Sequence, residues 1–249
     1  MSEASPIGQN IDNSIEHTED TIELDNSFPK KTQSSNITIP LKEHQATLLK
    51  ACRMLEDSCN NELEINNGST ITKIKSKFGI IGDMVGSGKT LTILAIIADK
   101  LELNNKLPKI SVKSNLLVCH EEPINYHLNI SSFNIIVVPH TIFKQWSETI
   151  TKFTNLKYYG INNTKSLNNF KSIFNDEEQS KNFDSSIILI SNTRFNEFIH
   201  LNLNFWNNGQ TFSRYFFDEA DIIKISNTIN YLIKASFIWF VTSSYKTLL

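Results

Sequence analysis

From about residue 37 onward, short apolar runs alternate with longer segments whose apolar positions recur at helical spacing. Leu41, Ala46, Leu48, Leu49, Met54 and Leu55 fall roughly on one face of a helix that Pro40 can start. "KFGIIG" (77–82) is a continuous apolar run, as expected of a strand buried on both faces. "TLTILAIIADKLEL" (90–103) has helical length and a strongly apolar face. "SFNIIVVP" (132–139) reads as a second buried strand, stopped by Pro139, and "HTIFKQWSETITKF" (140–153) as an amphipathic helix. On that helix Ile142, Phe143, Trp146, Ile150 and Phe153 form the apolar stripe, which makes Trp146 a core residue rather than a stacking platform. "SSIILIS" (185–191), "SRYFFDEAD" (213–221) and "ASFIWFVTSS" (235–244) read as strands, and "NTRFNEFIHL" (192–201) as a short helix. Strands alternating with helices predict an α/β domain with a mainly parallel sheet flanked by helices.

Three stretches fit neither period. Residues 57–70 read as a polar loop, 105–132 as a long connection carrying an insertion, and 161–183 as a polar surface excursion. Residues 1–36 are rich in Ser, Asn, Asp, Glu and Thr and bury too little to offset their ordering entropy. They are expected to be a disordered tail on a domain spanning 37–249.

Composition narrows the picture slightly. A chain of 249 residues, 40% hydrophobic and 20% charged, can build a full core. The net charge of -2 gives no global basic field, so any nucleic-acid binding must come from a local patch. Cys52, Cys59 and Cys119 show no metal-ligand spacing and are expected to be reduced thiols in an intracellular, soluble protein. The N-terminus has no signal-peptide pattern, and the longest apolar runs fall far short of the roughly 20 residues that cross a bilayer.

The candidate chemistry lies in two segments. "GIIGDMVGSGKT" (79–90) runs from an apolar strand into a glycine-rich turn. Gly86, Ser87 and Gly88 let backbone N–H groups converge on an anion, and the following helix points its N-terminus at the same place. Lys89 can reach the β- and γ-phosphates of a nucleotide, and the Thr90 hydroxyl can ligate the Mg²⁺ that bridges them. By residue frequency alone, Gly-x-Gly-Lys-Ser/Thr arises in about one chain per hundred of this length, so the strand-loop-helix context is what supports the assignment. The strict phosphate-loop pattern wants a glycine where Asp83 stands. In the second segment, "FFDEAD" (216–221) follows an apolar strand. Asp218 suits a Mg²⁺ ligand and Glu219 a base that orients the attacking water.

Together, "GDMVGSGKT" and "FFDEAD" resemble motifs I and II of superfamily two helicases, and most of all the Swi/Snf-like branch, which carries an acidic residue at the position of Asp83. The wording looks closest to Swi/Snf-like helicases of large DNA viruses, some of which act in early viral transcription. The resemblance implies a single RecA-like P-loop NTPase domain that binds ATP and Mg²⁺. "LKEHQ" (41–45) resembles the upstream motif in which a glutamine, here Gln45, contacts adenine. "IIVVPHTIFKQW" (135–146) resembles motif Ia, which places Pro139, His140, Thr141 and Lys144 beside the nucleic-acid backbone. "ILISNTRF" (188–195) resembles motif Ib, which places Ser191, Asn192 and Thr193 near a phosphate. "WFVTSS" (239–244) resembles motif III, in which Thr242, Ser243 and Ser244 would couple hydrolysis to movement. The implied track is nucleic acid, duplex DNA by the Swi/Snf-like wording, and the implied location, if the protein is viral, is host cytoplasm or virion. The alternative reading is an ATP-responsive nucleic-acid or protein adaptor without useful turnover. Family members have two RecA-like domains, the second supplying an arginine worth 10³–10⁵ in rate. No motif V or VI follows "TSSYKTLL", so the isolated chain is expected to bind ATP·Mg²⁺ weakly and hydrolyse it very slowly, and a second RecA-like domain is expected in cis or in trans.

Overall fold

The computed structural model describes Leu24 and residues 28–57, 63–66, 71–74, 77–99, 108–113, 116–121, 130–201, 211–223 and 235–244. The element order is α1 (Glu43–Asp57), β1 (Leu63–Asn66), β2 (Ile71–Ile74), β3 (Phe78–Gly82), α2 (Lys89–Ala98), β4 (Pro108–Lys113), β5 (Leu116–Glu121) and β6 (Ile130–Val138). A 3-10 turn (His140–Ile142) then leads into α3 (Phe143–Phe153), β7 (Tyr158–Ile161), α4 (Thr164–Asn175), α5 (Glu177–Lys181), β8 (Ile187–Ser191), α6 (Asn192–Ile199), β9 (Thr211–Asp218) and β10 (Ala235–Thr242).

Six strands form one sheet in the order β3-β10-β9-β6-β8-β7, and every neighbouring pair is parallel. A parallel sheet is covered on both faces, which is why its strands read as unbroken apolar runs. Alternate residues serve alternate layers. Ile136, Val138, Leu189, Phe216 and Val241 pack toward α1, α2 and α3. Ile135, Val137, Ile188, Ile190, Tyr215 and Phe217 pack toward α4 and α6. This is the expected α/β architecture of a RecA-like domain, with helices on both faces. α2 is buried from Thr92 to Ala98, which suits a helix apolar on nearly every side.

Three of the sequence expectations need correction. The polar loop at 57–70 contains β1, which pairs antiparallel with β2. The connection at 105–132 contains the antiparallel hairpin of β4 and β5. The presumed excursion at 161–183 is a covering helix: Leu167, Phe170 and Phe174 of α4 are buried against the sheet. Asn163 caps α4 by accepting from Ser166 N at 2.9 Å, while Ser166 Oγ accepts from Asn163 N at 3.2 Å. Asn-rich composition hid an apolar spacing that was present.

The described chain also joins the domain before residue 37. Gln33 Nε2 donates to the carbonyls of Ile37 and Ile39, at 3.1 and 2.8 Å, and Gln33 Oε1 accepts from Leu41 N at 2.6 Å. Ile37 bridges to Thr154 at the end of α3. Residues 1–23 lie outside the described residues, and so does Cys59. Cys52 is a free, buried thiol whose pKa is raised by desolvation. No helix among the described residues is long and apolar enough to cross a membrane.

α1 packs Leu48, Leu49 and Leu55 against the core, as its spacing predicts. Its buried positions include Leu49 and Cys52 but also Gln45, Arg53 and Glu56. Glu56 is the centre of a buried network. Arg214 on β9 donates to Glu56 Oε1 from Nε at 2.6 Å and to Oε2 from Nη2 at 2.8 Å. Trp239 Nε1 on β10 donates to Glu56 Oε1 at 2.9 Å, and Arg53 Nη1 donates to Oε2 at 3.2 Å. Arg214 lies midway along β9, four residues before Asp218, and Trp239 lies midway along β10.

Candidate nucleotide and nucleic-acid site

The strand register brings the motifs to one edge. Gly82 lies opposite Thr242, Val241 opposite Asp218, Val137 opposite Phe217, and Val138 opposite Ser191. The carboxyl ends of β3, β10, β9, β6 and β8 therefore finish at a common level, with the glycine loop at one side and "SNT" toward the other. This is where open α/β sheets place ligands.

At the glycine loop, Gly86 and Gly88 have φ of 82° and 89°, a conformation that costs glycine nothing. A Cβ on Gly88 would run into Gln45 Nε2. Gly88 is the N-cap of α2 and offers no side-chain hydrogen bond, so the helix presents its first N–H groups without a side-chain acceptor. Ser87 Oγ is buried and has no hydrogen-bond partner among the described residues. Lys89 Nζ donates to the carbonyls of Asp83 and Met84 at 2.8 and 2.9 Å, which holds an ammonium over the loop. A nest of N–H groups, an uncapped helix N-terminus and a fixed cation fit a polyphosphate. Thr90, half-buried in the first turn of α2, supplies a hydroxyl beside them. Gln45 ties α1 to this loop: Nε2 donates to Gly88 O at 3.2 Å and Oε1 accepts from Lys42 N at 2.9 Å. His44 Nε2 lies 2.9 Å from Ser87 O, a loop contact the sequence reading did not single out.

Asp218 is 6% exposed at the end of β9. Its Oδ1 accepts from Glu219 N at 3.1 Å and its Oδ2 from Trp146 Nε1 at 2.8 Å. Burial holds its carboxyl above the usual carboxylate range, with the indole N–H and the Lys89 charge acting in the opposite direction. Glu219 has a φ of 53°, the only non-glycine residue with positive φ among the described residues. Such backbone costs about 1–3 kcal/mol and gathers at functional positions. Beyond it, Asp221 Oδ1 accepts from Thr242 Oγ1 at 2.6 Å, and Thr242 Oγ1 accepts from Ser244 N at 2.9 Å. Thr242 is buried and Ser243 half-buried. Asp221 closes the quoted acidic motif, but only the folded chain shows it bonded to Thr242. Among the described residues no three His, Cys, Asp or Glu side chains could hold a metal by themselves. Mg²⁺ usually takes one or two carboxylates plus phosphate oxygens, and Thr90 and Asp218 suit that mode.

The raised Asp218 pKa has a consequence for stability. Between the ordinary carboxylate pKa and the raised one, the folded chain holds a proton that the unfolded chain has lost. The contribution is present at low pH and is lost as pH rises through the folded value; above it the buried charge weighs against folding. Asp218→Asn, whose amide oxygen can still accept from Trp146, is therefore expected to raise the nucleotide-free Tm at neutral pH. Thermal melts from about pH 4 to about pH 7 should show the gain growing with pH.

Toward the other side of the sheet, the 3-10 turn after β6 meets the start of α6. His140 N donates to Asn192 Oδ1 at 3.2 Å, His140 Nδ1 lies 3.3 Å from Ser191 Oγ, and Ser191 Oγ lies 3.0 Å from Thr193 Oγ1. Residues 51 positions apart thus form one polar cluster. His140, Thr141, Lys144 and Thr193 are exposed and Asn192 is half-buried, whereas Pro139 and Ser191 are buried. The two buried residues hold the shape from which the others project. Lys144 Nζ is 3.7 Å from Glu148 Oε1 but remains 88% exposed, an ion pair of little energy and an available cation.

The family model described as the SNF2-related domain matches residues 44–232. A protein of Acanthamoeba polyphaga mimivirus, provisionally named a helicase, is 29% identical over 182 residues, covering 61% of this chain and 20% of that protein. The chain thus spans about one fifth of that relative's length. A nuclease-deletion mutant of the Type ISP restriction-modification enzyme LlaGI, solved with a DNA substrate mimic, aligns with 82% of this chain and 17% of its own at 13% identity and a TM-score of 0.46.

Proposed function

Because the chain belongs to the SNF2-related domain family, we propose that it is the ATP-binding and ATP-hydrolysing half of a DNA-dependent helicase or translocase. The observation that carries this reading is the shared carboxyl edge, where the glycine loop and Asp218-Glu219 lie one strand apart, with the His140–Asn192 cluster beside them. Lys89 and the loop N–H groups bind the phosphates, Thr90 and Asp218 hold Mg²⁺, and Glu219 orients the attacking water. Bound Mg²⁺ would neutralise the charge that develops on the phosphates. Gln45 reads the adenine while bracing the loop. His140, Thr141, Lys144, Asn192 and Thr193 contact the backbone of duplex DNA, shaped by Pro139 and Ser191, which positions the track without specifying sequence. Thr242, with Ser243 and Ser244, links the acids to the sheet and serves coupling.

A second RecA-like domain, in cis or in trans, completes the engine. Met84, Val85 and Ile222 are 78%, 83% and 59% exposed at the same edge, an apolar rim suited to a packing partner. The mimivirus relative is named as a helicase, and the proposal extends to viral transcription or DNA transactions in host cytoplasm or virion.

ATP turnover by residues 1–249, with and without duplex DNA and beside Lys89→Ala, tests the reading. Stimulated turnover that Lys89→Ala abolishes makes the chain an enzyme in its own right. Binding without turnover makes it a half that needs its second domain. No Mg²⁺-dependent nucleotide binding overturns the proposal. Lys89→Ala is expected to weaken Mg²⁺·ATP binding about ten- to a hundredfold, the worth of a hydrogen bond to a charged group.

A further inference from the structure

Trp146 is 1% exposed on the face of α3 that meets the sheet. A Phe or Leu would cover that sheet equally well, but only Trp adds a ring N–H donor. That donor is aimed 2.8 Å from Asp218 Oδ2, across 72 residues of sequence. The other carboxylate oxygen is held by Glu219 N at 3.1 Å. Each oxygen thus has one fixed donor, which sets the plane of the carboxylate and leaves each a remaining lone pair. α3 begins immediately after the 3-10 turn that carries His140 and Thr141, and Lys144 is in its first turn. One rigid helix therefore joins the exposed polar segment to the buried acid.

We propose that Trp146 is a positioning residue, which orients Asp218 for Mg²⁺·nucleotide and ties that orientation to the α3 segment that faces nucleic acid. The proposal rests on the nucleotide reading above.

The test is titration of Mg²⁺ into the chain at fixed fluorescent ATP analogue, alongside analogue binding in chelator. Trp146→Phe keeps an aromatic ring and removes the donor. It is expected to raise the Mg²⁺ half-saturation about three- to tenfold, one hydrogen bond expressed as an equilibrium constant, and to leave Mg²⁺-free analogue affinity unchanged. Trp239→Phe loses a bond to Glu56 instead, and is expected to lower Tm without moving the Mg²⁺ half-saturation. Benzothienylalanine at position 146 replaces the N–H with sulfur in a ring of the same outline, and keeps the test open if Trp146→Phe does not fold. An unchanged Mg²⁺ half-saturation in a folded variant overturns the role of Trp146 while the nucleotide reading stands. Absence of Mg²⁺-dependent binding in the unmodified chain overturns both.

Discussion

Arg214→Ala is expected to destabilise the domain by about 3–5 kcal/mol, because it leaves the Glu56 carboxylate buried without its main partner. The side chains of Arg214 and Glu56 are 1% and 0% exposed, so water cannot substitute. Folded domains hold only about 5–15 kcal/mol in total, so this single change is expected to remove a large share. Glu56→Ala should cost a similar amount and also free the indole N–H of Trp239. Denaturant unfolding followed by circular dichroism measures both. Joint replacement by apolar residues of matching volume should recover much of the loss, as buried ion pairs often contribute little beyond their apolar equivalents. A loss below about 1 kcal/mol for Arg214→Ala would show that the pair is not desolvated as described. The hydrogen bonds of Arg214 and Glu56 run to Asn134, Asp99, Arg53 and Trp239 rather than to the glycine loop or the acids that end β9, so nucleotide affinity is expected to stay unchanged in protein that remains folded.

The second large effect concerns turnover. Glu219→Gln is expected to slow ATP hydrolysis about 10²–10⁴-fold, the usual worth of a positioned general base, with nucleotide affinity little altered. Single-turnover hydrolysis with duplex DNA present, compared with equilibrium binding, separates the two quantities. An unchanged rate would favour the adaptor reading over the enzyme. The backbone allows a companion measurement. At a φ of 53° a glycine carries no steric cost, so Glu219→Gly is expected to lose the same activity without the stability loss that glycine usually brings. A Tm as high as that of the original chain would show that the strained backbone at the edge is maintained for its side chain.

Much of the candidate site's geometry was readable because its motifs are local. A strand, a turn that needs positive φ and a helix N-terminus occupy consecutive residues from Phe78 to Ala98, so Gly86, Gly88, Lys89 and Thr90 follow from short-range geometry. The apolar strand before Asp218 is equally local, and buried parallel strands betray themselves as unbroken apolar runs. α4 was hidden because Leu167, Phe170 and Phe174 are diluted by Asn, Lys and Ser, and the β1–β2 and β4–β5 hairpins because short strands in polar stretches carry little periodic signal.

What the sequence by itself determined is therefore the fold class, the main strands, the glycine-rich loop and the acids that end β9. The tertiary structure alone decided which distant polar groups meet. Nothing in the spacing of Trp146 and Asp218, His140 and Ser191, Thr242 and Asp221, or Glu56 and Arg214 announces a partner. The physical reason is that apolar burial is non-directional and leaves its period in the sequence. A hydrogen bond between distant elements depends instead on strand order and register, which arise only when the sheet is assembled.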